Sequence, residues 1–160
     1  MQEIERKFLV KSNDYKVEAF DKLQIKQGFL NTHPERTVRI RIMGNKAFLT
    51  VKGKAKGGSI SRFEWEQEVP LEAANDMLEL CEPGRIEKTR YLVRSGKHVV
   101  EVDEFHGENA GLLVAEIELE NEQETFLKPP WLGQEVSGQA KYYNSQLSKH
   151  PYKLWDKSSP

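Results

Sequence analysis

A single cysteine, Cys81, stands in the whole chain, which excludes an internal disulfide and every multi-cysteine zinc site. That scarcity suits a reducing compartment, and the thiol is expected to be a small buried hydrophobe on a helix. No apolar run approaches the ~20 residues of a membrane-spanning helix, and charge begins at Glu3, unlike a secretory signal. The expectation is a soluble, cytoplasmic protein with no membrane partner. Neither sign of charge is in real excess: 24 Lys and Arg oppose 25 Asp and Glu, for a net charge of -1. This balance gives no whole-molecule attraction to nucleic acid, so any electrostatic function is local. The run GxxxxGK[ST] is missing, which excludes a P-loop as phosphate cradle. His33, His98, His106 and His150 stand singly, mostly near turns, and read as surface residues. No repeat, linker or low-complexity tract divides the chain, and its 160 residues suffice for one domain spanning 1–160.

What the chain does have is alternation. Period-two patterns predict strands at 2–10, 23–30, 36–43, 46–53, 61–69, 86–94, 98–105 and 112–120. Helical signals are fewer: a short turn over 14–20, LEAANDMLELCE after Pro70, NEQETFL before Pro129, and QAKYYNSQLSK near the end. Turn chemistry falls at Met43-Gly44-Asn45, Pro83-Gly84, Ser95-Gly96 and 107–111, where antiparallel neighbours need it. The Gly- and Lys-rich stretch 53–61 reads as a mobile loop. The class is α+β and β-dominated.

In these strands the polar face is ionic again and again. EIERK places Glu3, Glu5 and Lys7 on one face, roughly 7 Å apart. TVRIRI adds Arg39 and Arg41, FLTVKG adds Thr50 and Lys52, and SRFEWEQEV adds Arg62, Glu64, Glu66 and Glu68. Lys88 and Arg90, Glu101 and Asp103, and Glu116, Glu118 and Glu120 continue the pattern. The apolar alternates, Val38, Ile40, Leu49, Val51, Val100, Val102, Ile117 and their like, must be buried elsewhere. Two arrangements satisfy this: helices cover the apolar face of a sheet whose charged face is solvated, or the sheet closes into an eight-stranded antiparallel barrel with a charged lumen and helices packed outside. Paired Arg-x-Arg and repeated Glu-x-Glu favour closure, because guanidinium forks suit phosphate and clustered carboxylates suit a hard divalent cation. Such a lumen is expected to carry more carboxylates than cations, and like charges about 5 Å apart repel by roughly 3 kcal/mol at an effective dielectric near 20. Metal ions and a polyphosphate would balance both sets.

The motifs resemble the CYTH domain of the triphosphate tunnel metalloenzymes. The N-terminal Glu-x-Glu-x-Lys of Glu3, Glu5 and Lys7 carries the likeness, followed in order by QGFL, VRIR, LTVKG, EKTRY, EVDEF and VAEIELE. The resemblance implies a tunnel fold, Mg²⁺ or Mn²⁺ dependence and hydrolysis of a triphosphate-bearing substrate. By position it implies phosphate binding by Lys7, Arg39, Arg41, Lys52, Lys88 and Arg90, and metal binding by Glu3, Glu5, Glu116 and Glu118 with Asp103 near the metal. Glu5, Glu118 and Lys7 are the expected catalytic groups. Glu64 and Glu66 compete for one family position, and Gln139 stands where the family commonly has an acid after Gly138. Gly138, Tyr142 and Asn144 read as capping and packing the last helix.

Three functions follow as expectations: a hydrolase of inorganic tripolyphosphate or of a small organic triphosphate, whether thiamine or nucleoside; a class IV type adenylate cyclase; or a non-catalytic polyphosphate-binding module. The retained acids argue against the last, and a homodimer is left open. Phe63, Trp65, Tyr91 and Phe105 fall on the outer parity, so the inward face offers no slot for a base and tripolyphosphate is favoured over ATP.

Overall fold

The computed structural model describes residues 2–55 and 57–156. Nine strands form: β1 (Gln2–Val10), β2 (Asp21–Asn31), β3 (Arg36–Met43), β4 (Lys46–Gly53), β5 (Ser61–Val69), β6 (Ile86–Ser95), β7 (His98–Phe105), β8 (Leu113–Glu118) and β9 (Leu132–Glu135). Their order is β5-β4-β3-β2-β6-β7-β8-β1-β9, every pair antiparallel, and β1 also pairs with β5. The first eight strands therefore close into a barrel, the arrangement that the paired Arg-x-Arg and Glu-x-Glu favour. Closure rests on three residue pairs, Gln2 to Ile4 against Phe63 to Ser61, after which β9 takes over that edge of β1. Gly44 and Gly96, with φ of 62° each, turn the β3–β4 and β6–β7 hairpins.

Cross-strand register sets which side chains meet inside. Glu5 lies opposite Glu118 and Lys7 opposite Glu116. Glu101 also faces Glu116, Arg90 faces Asp103, Lys52 faces Glu64, and Thr50 stands between Arg39 and Glu66. Directly opposed residues share a face about 4.5–5.5 Å apart, so one register error would turn the entire ionic set outward.

The apolar alternates are covered from outside. Helix α2 (Leu71–Glu79) lays Ala74 and Leu78 on Ile40 and Ala47, while α1 (Tyr15–Glu18) and Trp131 cover Phe8, Val100, Val102 and Ile117. A third cluster joins Phe29, Ile86, Phe105 and Val114 to Val136, Tyr142 and Leu147 of the C-terminal segment, whose α3 (Asn144–Leu147) sits at one end of the barrel. Gly84 permits that docking: a Cβ there would lie 1.9 Å from the Ser148 carbonyl oxygen, and its φ is 99°.

Several expectations are corrected. NEQETFL is not helical, because the Glu124 carboxylate accepts from the backbone N–H of Glu120 and Asn121 accepts from that of Gln123, bonds that compete with a helix. The C-terminal helix is broken at Tyr143, with a 3-10 turn at Ala140–Tyr142 before α3. Cys81 lies just beyond α2, half-buried against Gly28. His98 is not a surface residue, since its side chain is largely buried and bonds Glu124 at 2.5 Å. In the 53–61 loop, Lys56 lies outside the described residues.

Candidate active site

The barrel encloses a cavity of about 170 Å³. Lys7, Arg39, Arg41, Lys52, Arg62, Lys88 and Arg90 line it together with Glu3, Glu5, Glu64, Glu66, Glu101, Glu116 and Glu118, seven of each sign. The expected acidic surplus is thus corrected: Glu68 and Glu120 are exposed, and Asp103 lies behind Lys88 and Arg90 instead of on the cavity wall. All six predicted phosphate-binding cations and all four Glu-x-Glu carboxylates reach the cavity. Glu64 and Glu66 both do so, with different partners.

On the β3–β4–β5 side, Arg39 donates to Thr50 at 3.1 Å and approaches Glu66 at 3.5 Å, which Arg41 also approaches at 3.5 Å. One carboxylate for two guanidiniums leaves their Nε donors buried without a partner among the described residues. Burial, and after it the neighbouring Arg41 charge, holds Arg39 down to about 9, and burial with the Arg90 charge lowers Arg41. Lys88 is likewise pulled down to about 8 by burial, against the attraction of Asp103 at 2.7 Å. Arg90 is satisfied by a bidentate pair with Asp103, at 2.8 and 3.0 Å, and by Glu101 at 3.3 Å.

The β1–β8 wall shows the reverse shortage. Burial disfavours ionised Glu3, but Lys52 at 2.9 Å, a hydrogen bond with Glu64 and the Arg62 charge outweigh it and draw Glu3 down to about 2. Glu116, 3.6 Å from Lys7, is likewise held well below the usual range by nearby cations despite its burial. Among the described residues Glu5 pairs only with Arg62, at 4.0 Å, and burial beside the Glu116 charge pushes it up to about 8. Burial and the Glu3 charge raise Glu118, which makes no ion pair among the described residues. Glu64 rises to about 7 through burial and its contact with Glu3.

Among the described residues no three metal-ligating groups converge into a cage. The donors still suit Mg²⁺ or Mn²⁺: Glu5 and Glu118 are hard oxygen ligands on directly opposed strand positions, short of cations. Magnesium keeps several waters and is bound by one or two carboxylates plus substrate phosphates, so a full protein cage is not required.

Strand parity missed part of the lining. On β2 the charged Lys22 and Lys26 are exposed, while Gln27 is buried and Phe29 faces the cavity. Tyr143, Asn144 and Ser145 of the C-terminal segment line it at the end where α3 sits. Asn144 accepts from Gln27 Nε2 at 2.7 Å and from Lys88 Nζ at 2.8 Å, which corrects its reading as a mere packing residue. The one signal for it is that EVSGQAKYYNSQL resembles the ending of CYTH domains.

The CYTH domain model matches residues 1–151. An inorganic triphosphatase of Acetivibrio thermocellus is 48% identical over 153 residues, covering 95% of this chain and 96% of the relative. Another, of Nitrosomonas europaea, is 35% identical over 156 residues and covers 92% and 97%. A solved crystal structure of an inorganic triphosphatase superposes with a TM-score of 0.64 at 29% identity, covering 96% of this chain and 98% of that one. With an ionic lumen built on Glu3, Glu5 and Lys7 and a family match over nearly its full length, the chain belongs to the CYTH domain family.

Proposed function

We propose that this protein is a divalent-metal-dependent hydrolase of inorganic tripolyphosphate. One observation carries the reading: among the described residues Arg39 and Arg41 hold buried Nε donors without partners, while on the opposite side of the ring Glu5 and Glu118 lack close cations. A ligand presenting phosphate oxygens to one wall and a cation to the other completes both. The two relatives named inorganic triphosphatases support it. So does the cavity volume, small beside the 300–1,000 Å³ of ordinary ligand pockets.

Arg39, Arg41, Lys52 and Arg90 would hold the phosphate chain extended, with Lys88 at the end where α3 sits. Lys7, between Glu116 and the Tyr143 ring, offers its ammonium to the phosphate being transferred. Glu5 and Glu118, with Glu3 and Glu116 beside them, would hold the cation. When bound there, it offsets phosphate charge and lowers the pKa of an attacking water. Asp103 holds Lys88 and Arg90 in place, and the metal contact that the family resemblance implies would require Arg90 to release it. Phosphoryl transfer leaves little covalent work for the protein, so positioning and charge complementarity supply most of the rate.

A nucleotide base finds no free surface here. Tyr143 lies under Lys7 and Arg62, and Phe29 is packed in the apolar cluster at the end where α3 sits. The test is a phosphate-release screen of tripolyphosphate, pyrophosphate, ATP and thiamine triphosphate with Mg²⁺ or Mn²⁺. Tripolyphosphate is expected to be fastest and pyrophosphate poor; equal turnover of ATP, or cyclic AMP formation, would overturn the assignment.

A further inference from the structure

The C-terminal segment does more than cover the end of the barrel. Its Asn144 Oδ1 receives two donors at once, Gln27 Nε2 at 2.7 Å and Lys88 Nζ at 2.8 Å. Because an ammonium has donors only, the atom facing Lys88 must be the amide oxygen, which fixes the orientation of the Asn144 amide. Its Nδ2 then has no partner among the described residues, and Asn144 lines the cavity. Gln27 is fixed in turn: with Nε2 given to Asn144, its Oε1 is left buried and unpaired among the described residues. Lys88 is held by Asp103 at 2.7 Å and by Asn144, with the Phe105 ring centroid 5.4 Å away. Two of its three donors are thereby used, leaving one for the cavity.

We infer that Asn144 is a substrate-binding and positioning residue: its Oδ1 aims Lys88, and its Nδ2 donates to the terminal phosphate of a tripolyphosphate seated against it. The inference rests on the tripolyphosphate reading of the tunnel and adds to it a contact from outside the strands. A chain whose last phosphate meets Lys88 and Asn144 together is gripped by an ammonium and a neutral amide. An anionic group in place of the amide would repel it.

Two full-length variants separate this role from packing. Asn144→Leu removes the acceptor and both Nδ2 donors, whereas Asn144→Asp keeps an oxygen for Gln27 and Lys88 but sets a second carboxylate oxygen where Nδ2 stood. Calorimetric binding of sodium tripolyphosphate is measured beside thermal unfolding and steady-state kinetics with Mg²⁺. Asn144→Leu is expected to weaken binding about tenfold, one lost charge-assisted contact of about 1.4 kcal/mol. Asn144→Asp is expected to melt no lower than the wild type and yet bind tripolyphosphate more weakly than Asn144→Leu. A purely structural Asn144 gives the opposite order: Asp binding like the wild type and Leu weakened only as far as its melting temperature falls. Either that order or wild-type affinity in both variants overturns the inference. Because binding is read without turnover, a wild type that binds but does not hydrolyse tripolyphosphate would sink the hydrolase reading and leave this test intact.

Discussion

The β3–β4–β5 wall and the β1–β8 wall are built from the same device, alternate charged residues turned inward by register, yet they fail in opposite ways. On the first, Arg39 and Arg41 share one carboxylate, Glu66, and retain buried donors unpaired among the described residues. On the second, Glu5 and Glu118 face each other with no cation among the described residues closer than Arg62 at 4.0 Å. Contrast Arg90, whose donors are met by Asp103 and Glu101. Buried ionic groups left unpaired weaken a fold, so a lumen incomplete in both signs is built for a ligand that carries both.

The largest effect should come from removing the cation that the acidic wall would hold. Full chelation of divalent metal is expected to bring phosphate release from tripolyphosphate to background, and readdition of Mg²⁺ or Mn²⁺ to restore it. Next, Glu118→Gln should lower kcat by about 10²–10³-fold, the scale of losing one preorganised charge contact in a transition state, while the fold survives. Retained turnover would show that the acidic wall is idle. Arg39→Ala and Arg41→Ala should each raise KM and lower kcat together, with kcat/KM falling roughly 10- to 100-fold, as the proposed contact of these guanidiniums with ground and transition states requires. Unchanged kinetics in both would break the comparison from the basic side. Tripolyphosphate should exceed ATP in kcat/KM by at least about tenfold, or about 1.4 kcal/mol.

The smallest effect concerns stability without metal. Glu5 at about 8 and Glu64 at about 7 keep protons in the fold that the unfolded chain, near 4.5, has released. The folded state then binds more protons across this window, so stability falls as pH rises from about 5 to about 8. Glu3, lowered to about 2, acts below that window, where its contribution is lost as pH falls. The metal-free protein should therefore melt lower at about pH 8 than at about pH 5.5, and Glu5→Gln should flatten that slope. A slope unaltered by the substitution would show that Glu5 is ionised and paired.

How much of this was legible depended on what each strand had to bury. Where ionic and apolar residues alternate strictly, as in EIERK, TVRIRI and EVDEF, the pattern predicted both the strand and its inner face, because exchanging the faces would strand charge among the outer helices. On β2 charge marks the outer side instead: Lys22 and Lys26 are exposed, while the neutral Gln27 is buried and Phe29 lines the cavity. The four-residue β9 is too short to show a period and forms only because β1 has a free edge beyond its pairs with β5. NEQETFL carries helical propensity that the side chains of Glu124 and Asn121 redirect into turns. Asn144 reaches the cavity through the docking of a segment more than a hundred residues from β2, a long-range contact that local pattern does not encode.

A kinetic double-mutant cycle between the walls tests the central claim most directly. kcat/KM for tripolyphosphate at saturating Mg²⁺ is measured for the wild type, Arg41→Ala, Glu118→Gln and the double variant. If one metal–polyphosphate ligand completes both walls, the groups act as a unit and the double variant should be within about threefold of the slower single variant. Strictly multiplicative losses, or a wild-type rate in either single variant, would contradict the account.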